Sequence, residues 1–88
     1  VPHFVYILRC ADGLVYIGVT ADLAIRLALH QAGEASGFTR RRRPVSLVYA
    51  EEWPTRIAAC HRERQLKRWT RAKKEALIAG NLTALKGL

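Results

Sequence analysis

Three short apolar runs and three amphipathic stretches set the plan of this chain. Phe4-Val5-Tyr6-Ile7-Leu8 is an aromatic and β-branched run, and predicts a strand. Leu14-Val15-Tyr16-Ile17-Gly18-Val19 predicts a second, with Ala11-Asp12-Gly13 between them as a hairpin signal. Residues 21–31 have helical periodicity that stops before Gly33, and Thr20 is placed to cap their start. Residues 33–44 turn small and polar, then strongly basic, and read as a loop. A third strand is expected over residues 45–50, closed by Glu51 and Glu52. Pro54 can start a long helix reaching about Trp69. Thr70 caps a shorter helix over residues 71–79, which Gly80 and Asn81 terminate. From Leu82 onward the tail is expected to be loosely ordered. The order β-β-α-β-α-α predicts an α/β (α+β) fold, with a small three-stranded, mostly antiparallel sheet packed against helices.

The first hairpin holds two tyrosines, and its turn decides whether they meet. Side chains alternate faces along a strand, so Phe4, Tyr6 and Leu8 share one face. A two-residue turn at Asp12-Gly13 would pair Tyr16 with Arg9 and put the tyrosines on opposite faces. A three-residue loop would pair Tyr16 with Leu8 and put them on one face, with Gly13 as the left-handed residue of a bulged turn. By spacing alone they read as two ordinary strand tyrosines.

Length and charge narrow the function. Eighty-eight residues fit one domain over residues 1–88 with a modest core. Half the residues are hydrophobic, which argues against disorder. A net charge of +8 and a pI of about 10.4 favour a polyanionic partner, nucleic acid first. No basic amphipathic helix with a bulky aromatic face points to a membrane surface, and no apolar run reaches spanning length. Cys10 and Cys60 lack metal-ligand spacing and read as reduced thiols of a cytoplasmic protein. The start, Val1-Pro2-His3, does not read as a signal peptide.

Chemistry-bearing residues recur at helical spacing. Leu23, Arg26, Leu27 and His30 fall on one helix face, mixing two leucines with a guanidinium and an imidazole. Arginine's planar fork suits phosphate, and histidine exchanges protons near neutral pH. The plain structural alternative is a snorkelling arginine beside a partly buried histidine. In the long helix Glu63 flanks an apolar side formed by Ala59, Leu66 and Trp69. One carboxylate can hold a hard cation such as Mg²⁺, or simply pair with Lys67 four residues on. With no second acidic motif beside it, a two-metal site rich in carboxylates is disfavoured. Arg40, Arg41, Arg42 and Arg43 form a basic run suited to backbone phosphates. Lys67 and Arg68 belong to a second basic region with Arg62, Arg64, Arg71, Lys73 and Lys74. No zinc finger, RNP signature or P-loop is present, so nothing promises sequence-specific recognition.

Taken in order, these residues resemble a known family. Val5-Tyr6-Ile7, Tyr16-Ile17-Gly18, then Arg26, His30 and Glu63 are similar to the ordered motif of the GIY-YIG nuclease superfamily. The likeness covers nearly the whole chain and is nearest to small, stand-alone bacterial GIY-YIG proteins. Val5 stands where the first glycine of the motif falls. Val19 stands where some relatives carry a lysine. Asn81 is matched to a C-terminal asparagine found in some of these nucleases.

The resemblance implies metal-dependent hydrolysis of phosphodiesters in nucleic acid, DNA ahead of RNA, with a place in DNA repair or processing. Glu63 is expected to hold Mg²⁺ or Mn²⁺, and Arg26 the scissile phosphate with Tyr16 beside it. Tyr6 is expected to help deprotonate water, relayed through His30. A free phenol has a pKa near ~10, so that role needs a nearby cation. Two other readings stay open: a nucleic-acid-binding module with little activity alone, and a protein-interaction adaptor gripping an acidic partner.

Overall fold

The computed structural model describes residues 1–81; the tail expected to begin at Leu82 lies outside them. Strands β1 (His3–Arg9), β2 (Val15–Thr20) and β3 (Ser46–Trp53) form one antiparallel sheet in the order β2-β1-β3. Among the described residues four helices accompany it: α1 (Leu23–Gln31), α2 (Gly37–Arg40), α3 (Arg56–Lys67) and α4 (Arg71–Ala79). The order is the expected β-β-α-β-α-α with the four-residue α2 added.

The register answers the question of the hairpin. Leu8 lies opposite Tyr16, and Tyr6 opposite Gly18, so both tyrosines occupy one face. The Cys10 amide bonds to Leu14 O at 2.8 Å, which leaves a three-residue loop. Gly13 sits at φ +87°, a left-handed position that an L side chain resists, and its amide bonds back to Cys10 O.

Alternation gives the sheet two apolar faces, each buried under its own helices. Val5, Ile7 and Ile17 pack with Ala59, Leu66 and Leu77 of α3 and α4. Tyr6, Leu8 and Cys10 pack with Val45, and with half-buried Tyr16, Leu23, Leu27 and Phe38. Charged side chains fasten the layers. Arg9 grips Glu75 of α4 through both guanidinium amines, at 2.5 and 2.6 Å. On β3, Glu51 accepts from Tyr49, Trp53 and Arg62, which pins α3 to the sheet. Cys10 is buried, Cys60 half-buried, and both are free thiols. No helix among the described residues is long and apolar enough to cross a membrane.

Several boundaries differ from the sequence expectation, each for a local reason. Asp22, not Thr20, caps α1: its carboxylate accepts the Ile25 amide, while the Thr20 hydroxyl accepts the Asp22 amide just outside the helix. The 33–44 segment is not wholly loop, because Ser36 caps a short helix through the Thr39 amide. β3 runs on through Glu51 and Glu52 to Trp53, since hydrogen bonds to Glu51 satisfy its charge within the strand. α3 starts at Arg56 after a Thr55 cap rather than at Pro54, and ends at Lys67 with Arg68 as its C-cap, short of Trp69. The Thr70 cap, residues 71–79 and the Gly80 stop fall as expected.

Candidate active site

The sheet face shared by the tyrosines leads into a cleft of about 460 Å³. Tyr6, Tyr16, Arg26 and Glu63 line it, together with His3, Gly18, Val19, Thr20, Arg56 and Cys60. The cleft opens at the edge strand β2, which lets α3, packed on the other face, bring Glu63 to it. Gly18 is required there by close approach. A Cβ on it would stand 2.4 Å from the Tyr6 hydroxyl, so any side chain would displace the phenol.

Behind the cleft runs a buried polar chain. The Tyr6 hydroxyl meets His30 Nε2 at 2.8 Å, and His30 Nδ1 meets the Thr39 hydroxyl at 2.8 Å. Thr39 also reaches Ser36 Oγ at 3.0 Å and Ser36 O at 3.4 Å. His30 and Thr39 are completely buried. We assign the direction from Thr39. Its proton goes to Ser36, so its oxygen accepts from Nδ1–H, and His30 presents the Nε2 lone pair to the Tyr6 O–H. Burial raises the Tyr6 pKa well above that of a free phenol, the nearby Tyr16 and Glu63 add to the rise, and Arg26 opposes it. Burial and then Arg26 lower that of His30. At rest both partners are therefore neutral near pH 7, with the proton on Tyr6.

Thr39 is one residue the sequence reading missed. Its signal was the capping pattern Ser36-Gly37-Phe38-Thr39, hidden in a stretch that looked like plain loop. Thr39→Val should leave Nδ1–H buried without a partner and cost about 1–3 kcal/mol in urea unfolding. Thr39→Ser should recover most of that loss, because the hydroxyl returns. Equal stability of all three forms would remove Thr39 from the network.

Two charged groups face the cleft differently. Arg26 is half-buried, and no described residue makes a hydrogen bond or ion pair with its guanidinium. Glu63 pairs with Lys67 at 3.3 Å, as helical spacing foresaw, yet its carboxylate also lines the cleft. No group of three or more His, Cys, Asp or Glu gathers as a metal cage among the described residues. A single carboxylate suits a hard cation that keeps several waters and takes phosphate oxygens as further ligands.

The basic run of the 33–44 segment is divided. Arg42 is held by the structure: it stacks on Phe38 at 3.9 Å, donates to Phe38 O, and pairs with Asp12 at 3.0 Å. Arg43 donates to the carbonyls of Arg40 and Gln31. Arg40 and Arg41 end α2 with exposed side chains. Lys67 and Arg68 are exposed at the end of α3. Asn81 is exposed beyond the Gly80 cap, its amide on Ala76 O, and is not among the residues lining the cleft. Arg56 also lines the cleft and was missed, although its spacing from Cys60 and Glu63 on one helix stripe was readable.

The model of the GIY-YIG catalytic domain family matches residues 2–76, a span that includes the paired sheet tyrosines and Arg26, Arg56 and Glu63 of this cleft. The chain belongs to that nuclease family, whose members typically use a divalent metal. It is 47% identical over 77 residues to a UPF0213 protein of Natronomonas pharaonis, covering 88% of this chain and 91% of the relative. A UPF0213 protein of Staphylococcus aureus is 45% identical over 76 residues, covering 86% and 93%. Among solved structures, a UPF0213 protein of Bacillus halodurans is similar with a TM-score of 0.60 and 35% identity, covering 98% of this chain and 94% of that one. The solved structure of a protein from E. faecalis gives a TM-score of 0.61 and 32% identity, covering 93% of this chain and 88% of that one.

Proposed function

We propose that the protein is a metal-dependent endonuclease that hydrolyses phosphodiester bonds of nucleic acid in the Tyr6–Glu63 cleft. The observation that carries this reading is Arg26: a half-buried guanidinium with no hydrogen-bond or ion-pair partner among the described residues, facing a carboxylate and two phenols across one cleft. A buried-side cation needs an anion, and a phosphate's oxygens match its fork. Glu63 would hold the Mg²⁺ or Mn²⁺ that family membership implies. When bound, that cation would supply electrophilic stabilisation of phosphate and leaving-group oxygens and favour ionisation of the nearby phenol.

The chain's own residues would do the rest. Arg26 would orient the scissile phosphate and bind it more tightly as charge develops. Tyr6 would accept the proton of the attacking water after passing its own to His30 Nε2, and Thr39 holds that imidazole in the receiving tautomer. Gly18 leaves the phenol its place, and Tyr16, which lines the same cleft, would hydrogen-bond the same phosphate. Arg40 and Arg41, with Lys67 and Arg68, would contact backbone phosphates, as Arg42 and Arg43 are already engaged. DNA is the first substrate to examine, in repair or processing within the cytoplasm.

The test is a panel of labelled DNA and RNA single strands, duplexes, flaps and junctions, incubated with purified protein and Mg²⁺ or with a chelator. Metal-dependent cleavage of at least one member is expected. Binding without cleavage on every member would favour instead a binding module that keeps the fold.

A further inference from the structure

The cleft does not end at Glu63. It shares Arg56 and Cys60 with a depression of about 310 Å³ lined further by Ile57, His61 and Arg64. That depression in turn shares His61 and Arg64 with one of about 480 Å³, bounded by Gln65, Arg68 and Trp69. The three lie in succession along α3 as a trough whose neighbouring segments each share two lining residues. Among the described residues no carboxylate lines its two outer segments.

Arg56, Arg64 and Arg68 mark the length of this trough. All three are exposed, and no described residue makes an ion pair or side-chain hydrogen bond with them. Other basic residues nearby are engaged: Arg62 with Glu51 and Gln65, and Lys73 over the Trp69 ring at 4.3 Å. From Arg56 to Arg68 the helix rises about 18 Å at 1.5 Å per residue. That is the axial length of roughly five nucleotides, at 3.4 Å per nucleotide of one strand. Ile57 is 72% exposed beside the arginines, an apolar surface suited to sugar or unpaired base rather than to phosphate.

We infer that the trough is the track of one nucleic-acid strand leaving the cleft, held through its phosphates by Arg56, Arg64 and Arg68. This rests on the nuclease reading, because the cleft supplies the strand's starting point. It shifts the main strand contact from the arginine run at residues 40–43 to the outer stripe of α3. Charge complementarity selects the occupant, and continuity with the cleft sets its path.

The experiment uses the full chain, a short oligothymidylate, and a chelator so that cleavage plays no part. Binding is followed against salt for wild type, the triple variant Arg56→Gln, Arg64→Gln, Arg68→Gln, and the double variant Arg40→Gln, Arg41→Gln. The triple variant should flatten the log–log salt slope by about 2, at ~0.7 per contact on a single strand, and flatten it more than the double variant does. Bound oligonucleotide should also slow alkylation of Cys60 by iodoacetamide, with buried Cys10 as internal reference. The substituted arginines are exposed, and thermal melting checks that the variant is folded. An unchanged slope in the folded triple variant, or Cys60 equally reactive in the saturated complex, overturns the track while leaving the nuclease reading standing. No binding by wild type at any salt overturns both.

Discussion

Glu63→Gln should abolish metal-dependent cleavage while leaving nucleic-acid affinity in chelator nearly unchanged. The amide keeps the shape of the side chain but removes the one carboxylate that lines the cleft among the described residues. A single-carboxylate site has no neighbouring acid to take over, so loss of this charge removes the protein's hold on the cation. Affinity should survive, because the strand contacts proposed above are arginines. Stability should scarcely move. The Glu63–Lys67 pair is an i,i+4 helix pair with Lys67 54% exposed, and such pairs contribute about 0.3–0.5 kcal/mol. Single-turnover cleavage, fluorescence anisotropy and thermal melting on one preparation separate these effects. A variant that loses affinity and activity together would place Glu63 in substrate binding.

Arg26→Ala should behave differently and harm both placement and rate. Removing one preorganised donor at a site of developing charge typically costs about 10²–10³ in rate. Affinity should fall too, since no described residue competes for this guanidinium. Arg26→Lys should recover part of the affinity and less of the rate, because an ammonium lacks the bidentate fork. An independent reading comes from His30. Its pKa is lowered by burial first and by Arg26 second. In Arg26→Ala the second cause disappears, so His30 should protonate at a higher pH than in wild type, by NMR titration of the ring. The acid limb of the pH–rate profile should move up with it, since only neutral His30 can receive the Tyr6 proton. A His30 titration unchanged by the substitution would mean that Arg26 does not face the polar chain.

What the sequence made legible was what short-range rules control. Gly13 suited a three-residue turn, so the shared face of Tyr6 and Tyr16 stood as one of two explicit options. Thr70 and Gly80 bracketed α4 because capping chemistry is local. The periodicity of Leu23, Arg26, Leu27 and His30 named one stripe, although it could not say that His30 would be wholly buried and Arg26 would face the cleft. What stayed hidden depends on partners distant in the chain. Thr39 matters because it meets His30, nine residues away, through a helix too short to show periodicity. β3 passes Glu51 because Arg62, on another element, neutralises it. The four arginines at residues 40–43 look equivalent as a run, but Asp12 and Phe38 claim Arg42, and two carbonyls claim Arg43. Charge counting cannot separate an engaged guanidinium from an available one; contacts do.

The central claim is that phosphodiester hydrolysis takes place in this cleft and depends on a cation held by Glu63. Its most direct test is single-turnover cleavage of one labelled substrate across a Mg²⁺ titration, with wild type and Glu63→Gln purified in parallel. Wild type should show no cleavage in chelator and a rate that rises and saturates with Mg²⁺, while Glu63→Gln stays at background throughout. The same saturating curve from both proteins would contradict the claim, by placing the metal-dependent chemistry somewhere other than this site.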